Sequence, residues 1–267
     1  VYSRTPAVLA STALALSHLA GERFILGLGA SSHLMVEGWH GLKLEKPLTR
    51  MRETTLLLRM MLAGEKAEFD GETLHSHGFR LLQPAKAPVP IYLAGLRPKM
   101  LELAGELGDG VVVNLFPSKA LPKMLEHVAV GGARSGKTRG DLDIVCRHQV
   151  LVTDNPAQAR DRFRQRFAPY YATPVYNRFL AWAGYPEVAA AIEQGWQAKD
   201  RARTTGALSD ALVDELAIIG SADECRARIL ALARTGITTP IIHPLTTDPA
   251  EMRRTLEAFA PERFVVT

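Results

Sequence analysis

Five apolar runs limit this chain more than any other feature, because each leads into a segment of helical period. The runs cover 24–29, 90–94, 110–114, 142–152 and 238–244, and the helical segments that follow cover 48–62, 98–107, 118–133, 157–167 and 248–258. A strand with one wet face alternates apolar with polar residues, whereas a continuous apolar run belongs to a strand covered on both faces. Parallel sheets with helices packed outside provide that cover. Five such units fit an open doubly wound sheet or part of an eight-stranded barrel, and spacing does not decide between them. A complete barrel takes about 250 residues. Of the 267 residues here, the stretch 156–216 carries only helical patterns, which leaves too few for eight units.

Further elements are readable around this frame. Pro6–Leu19 places Val8, Leu9, Ala13, Leu16 and Leu19 at helical spacing, so the chain starts mid-fold with a helix. Segments 67–69 and 73–75 flank the turn dipeptide Asp70-Gly71 and predict a β-hairpin. The helical stretch is expected as 157–167, a bend at 170–174, then 186–202. Ser221 with Glu224 three positions on matches a capping box opening a helix over 222–234.

Composition excludes several classes. Hydrophobic residues make up 47% and charged residues 22%, enough for a full core and unlike a disordered chain. Two cysteines, Cys146 and Cys225, are too few for a disulfide framework, so a reducing cytoplasm is expected. No apolar run approaches the roughly 18 residues that span a bilayer, so no membrane role is expected. Net charge is only +4, and the densest basic cluster, Arg160, Arg162, Arg164 and Arg166, reads as a solvated helix face, not a nucleic-acid patch.

Ligands in parallel α/β folds bind at the carboxyl ends of strands, which directs attention to three loops. Gly29-Ala30-Ser31-Ser32-His33 is small and hydroxyl-bearing, so a planar ring or a phosphate can approach its backbone; it also reads as a tight polar turn. Ala94-Gly95-Leu96-Arg97 lies just before the helix starting at Pro98, where free amides and Arg97 converge on an anion; a plain strand-to-helix turn is the alternative. Asn114 ends the third run and either faces a ligand or caps the turn.

Other chemistry finds less support. His75 and His77 stand two apart without a third ligand downstream, so no metal site is expected. There is no Gly-x-Ser-x-Gly elbow, and Cys146 with His148 two positions on does not make a hydrolase. His33, Trp39 and His40 in the loop after the first run are candidates for a substrate-pocket wall. Tyr170, Tyr171, Tyr176, Phe179 and Trp182 read as a local core, not a cofactor box.

Read together, Arg23 to Ser31, Arg52-Glu53, Ala63-Gly64-Glu65, Phe69-Asp70-Gly71, Pro90 to Gly95, Leu101 to Glu106, Gly108-Asp109-Gly110 and Gly220 to Cys225 resemble the bacterial-luciferase-like family. Ser31-Ser32-His33, Val36 to Trp39 and Val213-Asp214-Glu215-Leu216 are similar to its branch that uses coenzyme F420, a 5-deazaflavin. The resemblance covers nearly the whole chain. It implies a (β/α)8 TIM barrel lacking its first N-terminal strands, as one domain over 1–267 with a helical insert at about 156–217. It also implies an oxidoreductase that transfers a hydride between F420 and a small organic substrate, with an FMN-dependent monooxygenase or a non-catalytic barrel fragment as alternatives. The implied cofactor residues are Gly29, Ala30, Ser31, Ser32, Ala94, Gly95, Leu96, Arg97, Pro98, Lys99 and Asn114. The resemblance implies that the catalytic residues, which the sequence leaves unknown, belong to those missing strands. A homodimer is the implied assembly.

Overall fold

The structure, a computed structural model, describes residues 1–265. The chain divides into two compact units, one of Val1–Val112 with Glu126–Asp143, the other of Val113–Leu125 with the chain from Ile144 on.

In the first unit, helix α1 (Pro6–Leu19) leads to strand β1 (Leu26–Leu28), then to α2 (Pro47–Leu62), the hairpin strands β2 (Glu68–Asp70) and β3 (His75–His77), and β4 (Ile91–Ala94). Helix α3 (Pro98–Leu107), β5 (Gly110–Asn114) and α4 (Leu121–Arg134) follow. Proline stands in the first turn of α1, α2 and α3, where its missing N–H forfeits no helical bond. Strands β1, β4 and β5 pair in parallel, with Leu28 beside Leu93 and Ala94 beside Val112. Between α3 and α4 the backbones nearly touch: a Cβ on Gly131 would lie 1.8 Å from the Glu102 carbonyl oxygen, and one on Gly105 would lie 2.1 Å from that of Val128. Arg52 on α2 grips Glu106 on α3 with two bonds of 2.6 and 2.7 Å. Buried Glu53 accepts from the amides of Glu72 and Thr73, which ties the hairpin loop to α2.

Two expectations change here. The hairpin strands sit later than the turn dipeptide predicts, because Glu53 holds the four residues between Asp70 and His75 as the loop. The run at 24–29 is covered on one face only: Leu26 and Leu28 are buried, whereas Ile25 is 47% exposed.

The second unit is built on β6 (Asp143–Val152), which is followed by five helices, α5 (Pro156–Tyr171), α6 (Pro174–Trp182), α7 (Pro186–Gln197), α8 (Arg201–Gly206) and α9 (Asp210–Leu216). Then come β7 (Ala217–Gly220), α10 (Ala222–Thr235), β8 (Thr239–Pro244) and α11 (Pro249–Ala258). A strand's odd and even residues aim their backbone groups at opposite edges. Here Thr153 donates to Gly220, while the carbonyls of Ile144 and Val150 accept from Thr238 and Leu245. Both β7 and β8 therefore pair with β6 in parallel, one on each edge. One face of this sheet, with Leu151, Ala217 and Ile219, packs on the α5–α9 helices through Phe163, Phe167 and Tyr171. The other, with Val150, Val152 and Ile218, packs on α10 and α11 through Cys225, Ile229 and Ala258.

Strand β7 is a sixth parallel strand beyond the five apolar runs. The helical pattern expected over 186–202 is broken at Asp200, whose carboxylate caps α8 by accepting from Arg203. Within the arginine cluster three members are ion-paired, Arg160 with Asp214 at 2.9 Å, Arg162 with Glu251 at 2.6 Å and Arg164 with Asp161 at 2.7 Å, while Arg166 is exposed. Among the described residues no helix is long and apolar enough to cross a membrane.

Candidate active site

The two loops singled out in the first unit lie at the same end of neighbouring strands. Because Leu28 pairs with Leu93, the chain leaves β1 and β4 side by side, and a Cβ on Gly29 would come within 3.6 Å of the Ala94 Cβ. Side chains this small keep bulk off the rim between the two strand ends, where the Val1 ammonium donates to the Gly29 carbonyl at 3.1 Å. Ser31 holds a left-handed φ of 66° and turns the loop, with its hydroxyl 3.2 Å from the Met35 sulfur.

At the second tip, Gly95 donates to the Val112 carbonyl at 3.1 Å. A Cβ there would meet the Leu101 amide nitrogen at 3.2 Å, so any larger residue would push the first turn of α3 back by a few tenths of an ångström. Arg97 is the N-cap residue and satisfies no amide with its side chain. The Arg97 and Lys99 amides donate to no protein group among the described residues, and both side chains are exposed. Free amides, the positive end of the helix dipole and two cations make a site that fits the phosphate of a cofactor. Lys99 also reaches Glu102 at 3.4 Å, and buried Glu102 is held below the usual carboxylate range by Arg134.

The substrate-wall candidates are placed differently. Residues Leu34–Trp39 form one π-helical turn between His33 and His40, and only Val36 on it is buried. Trp39 is 65% exposed, and His33 and His40 are exposed. On the hairpin, carboxylates come from the facing strand: His77 lies 3.2 Å from Glu68 and 3.1 Å from Asp70, and His75 lies 3.2 Å from Asp70. Among the described residues no cluster of three or more histidine, cysteine or acidic side chains is arranged to hold a metal.

In the second unit, Asn114 ends β5 with its Oδ1 buried and unpartnered, and its side chain hydrogen-bonds the Tyr176 hydroxyl. Leu115 after it takes a left-handed φ of 52°, strained for a leucine, and its carbonyl accepts from Tyr171. Tyr171 and Phe179 are core as expected, while Tyr176 stands at the core's margin. Sequence reasoning passed over one group. Arg147 and Gln149 lie on the face of β6 that also carries Leu151, and His243 on β8 pairs with Gln149, its Nδ1 3.0 Å from the Gln149 Oε1. The signal was the polar break Arg147-His148-Gln149 inside an otherwise apolar strand.

A luciferase-like monooxygenase family model matches residues 1–239. The chain belongs to that family. A 5,10-methylenetetrahydromethanopterin reductase from Methanolobus tindarius is 31% identical over 239 residues, 89% of this chain and 72% of the relative. A putative coenzyme F420-dependent oxidoreductase from Mycobacterium tuberculosis is 30% identical over 281 residues, 96% of this chain and 79% of the relative. Among solved structures, the coenzyme F420-dependent tetrahydromethanopterin reductase from Methanopyrus kandleri matches with a TM-score of 0.80 at 21% identity, covering 98% of this chain and 79% of the other. The fold of this luciferase-like chain is thus of the TIM-barrel kind those proteins share, and the parallel strands followed by helices are its local expression.

Proposed function

We propose that this chain is an oxidoreductase that holds coenzyme F420 and transfers a hydride between it and a small organic substrate. The carrying observation is the adjacency, at the ends of β1 and β4, of a small-residue loop and an open helix N-terminus flanked by Arg97 and Lys99. In this reading the Arg97 and Lys99 amides and side chains hold the phosphate, and Gly29, Ala30 and Ala94 give the flat ring access to the backbone. When bound, a deazaflavin offers a carbon, in place of a flavin's nitrogen, that gives or takes a hydride and reacts poorly with oxygen. The protein's work is then orientation and charge placement. The name of the Mycobacterium tuberculosis relative, similar over 96% of this chain, favours F420 over FMN.

Fluorescence titration with both cofactors tests the reading. Saturable F420 binding is expected, weakened about tenfold by Arg97→Ala through loss of a charge-assisted contact. Binding of FMN but not F420, with oxygen consumed on adding reduced FMN, would replace it with a monooxygenase.

A further inference from the structure

The inner faces of parallel strands are normally apolar, yet three neighbouring positions of β6 and β8 on one face carry Arg147, Gln149 and His243. Gln149 is 1% exposed. Its Oε1 is engaged by His243, and its Nε2 has no acceptor. A buried donor left unmade costs about 1–3 kcal/mol, and a water, an ion or a ligand oxygen placed there would remove that cost.

The cations around it are equally unmatched. Arg160, Arg162 and Arg164 on α5 each have a carboxylate partner, whereas half-buried Arg147 has none among the described residues. Its charge is felt by Tyr176 and by His243, and Arg166 adds a second charge facing His243. Burial first, then these two arginines, hold the His243 ring below its usual range and therefore neutral. Arg166 also lines an open cavity of about 570 Å³ with Arg162, Thr246, Thr247 and the carboxylates of Asp248 and Glu251, at the loop that follows β8. Those carboxylates are already engaged, Glu251 by Arg162 and Thr246 and Asp248 by the first amides of α11, so Arg147 and the Gln149 amide stay unmatched. The Asn114 Oδ1 is also buried without a partner.

We infer that this sheet face of the second unit binds a small oxyanion, a carboxylate or a phosphate monoester, with Arg147 as its principal partner, Gln149 as a fixed donor and Arg166 at the mouth. The site stands independently of the proposed hydride transfer. The anion comes either from the substrate or from the coenzyme's own acidic groups.

The test titrates the full chain with inorganic phosphate, and separately with acetate, at constant ionic strength, following the His243 ring signals by NMR. A saturable shift is expected with both. Arg147→Met should weaken it by at least about tenfold, the scale of a lost charge-assisted contact. Arg147→Lys should recover part of the loss. Arg178→Met, which removes an equal charge from an exposed position of α6, should leave the curve in place. Repeating the titration with F420 present separates the sources, since competition assigns the anion to the coenzyme and additive binding assigns it to the substrate. A chain that binds phosphate through Arg147 but fails to bind F420 would overturn the proposed F420-linked hydride transfer and leave the anion site standing. No saturation, or an affinity that Arg147→Met leaves within about twofold, would overturn it.

Discussion

His148 carries a stability cost that acid exposes. It lies on the opposite face of β6 from Gln149, 8% exposed, with Nδ1 3.5 Å from the Cys146 sulfur and Nε2 unpartnered. Burial first, then the nearby Arg228 charge, push its pKa down from 6.5 to about 4. Below pH 6.5 the unfolded chain takes up a proton that the folded chain refuses until about pH 4, so the neutral ring's contribution is complete above 6.5 and drains away across that window. The loss amounts to about 3 kcal/mol at most. Urea unfolding at pH 7 and pH 4.5 should show it, and His148→Gln should flatten the difference. The buried thiol of Cys146 beside it is pushed up, which keeps it unreactive.

Among the elements, the α3–α4 contact is the least forgiving. Gly131→Ala would place a methyl 1.8 Å from the Glu102 carbonyl, so the helices must separate, at a cost of about 3 kcal/mol or more. Ser221→Ala should cost only about 1 kcal/mol, since it removes one half of a cap whose Glu224 carboxylate still accepts from the Ser221 amide. Denaturant midpoints should rank the two variants in that order. Most elements were legible in the sequence because their signals are local: Val111 to Val113 is a β-branched run, and Pro98 and the Ser221–Glu224 box mark helix starts. Strand β7 was missed because α9 ends at Leu216 and β7 begins at Ala217, with no turn residue between them. The F420-branch motif at Val213–Leu216 proves structural in its charged members: Asp214 pairs with Arg160, and Glu215 anchors the turn at Ser118 and Lys119. The loops at Gly29 and Gly95 were readable from glycine and proline alone. Arg147, Gln149 and His243 were not, because the contact that unites them spans 94 positions and periodicity sees only neighbours.

Across the whole molecule, protection from deuterium exchange should follow burial and pairing. The amides of β6 at Gln149 and Leu151, buried and bonded on the β7 edge, should be the slowest, and those of the exposed π-helical turn and the β2–β3 hairpin among the fastest. Uniform protection would show that pairing on both edges of β6 does not dominate the second unit. The same arrangement bears on biosynthesis. Gln149 leaves the ribosome long before its β8 partner, 94 positions further on. At about 5–20 residues per second, that is roughly 5 to 20 s during which the groups on the β8 edge of the nascent strand wait unmet. For that interval the growing chain is a natural client for a holding chaperone, and a slowed codon run between the two strands would lengthen its exposure to aggregation.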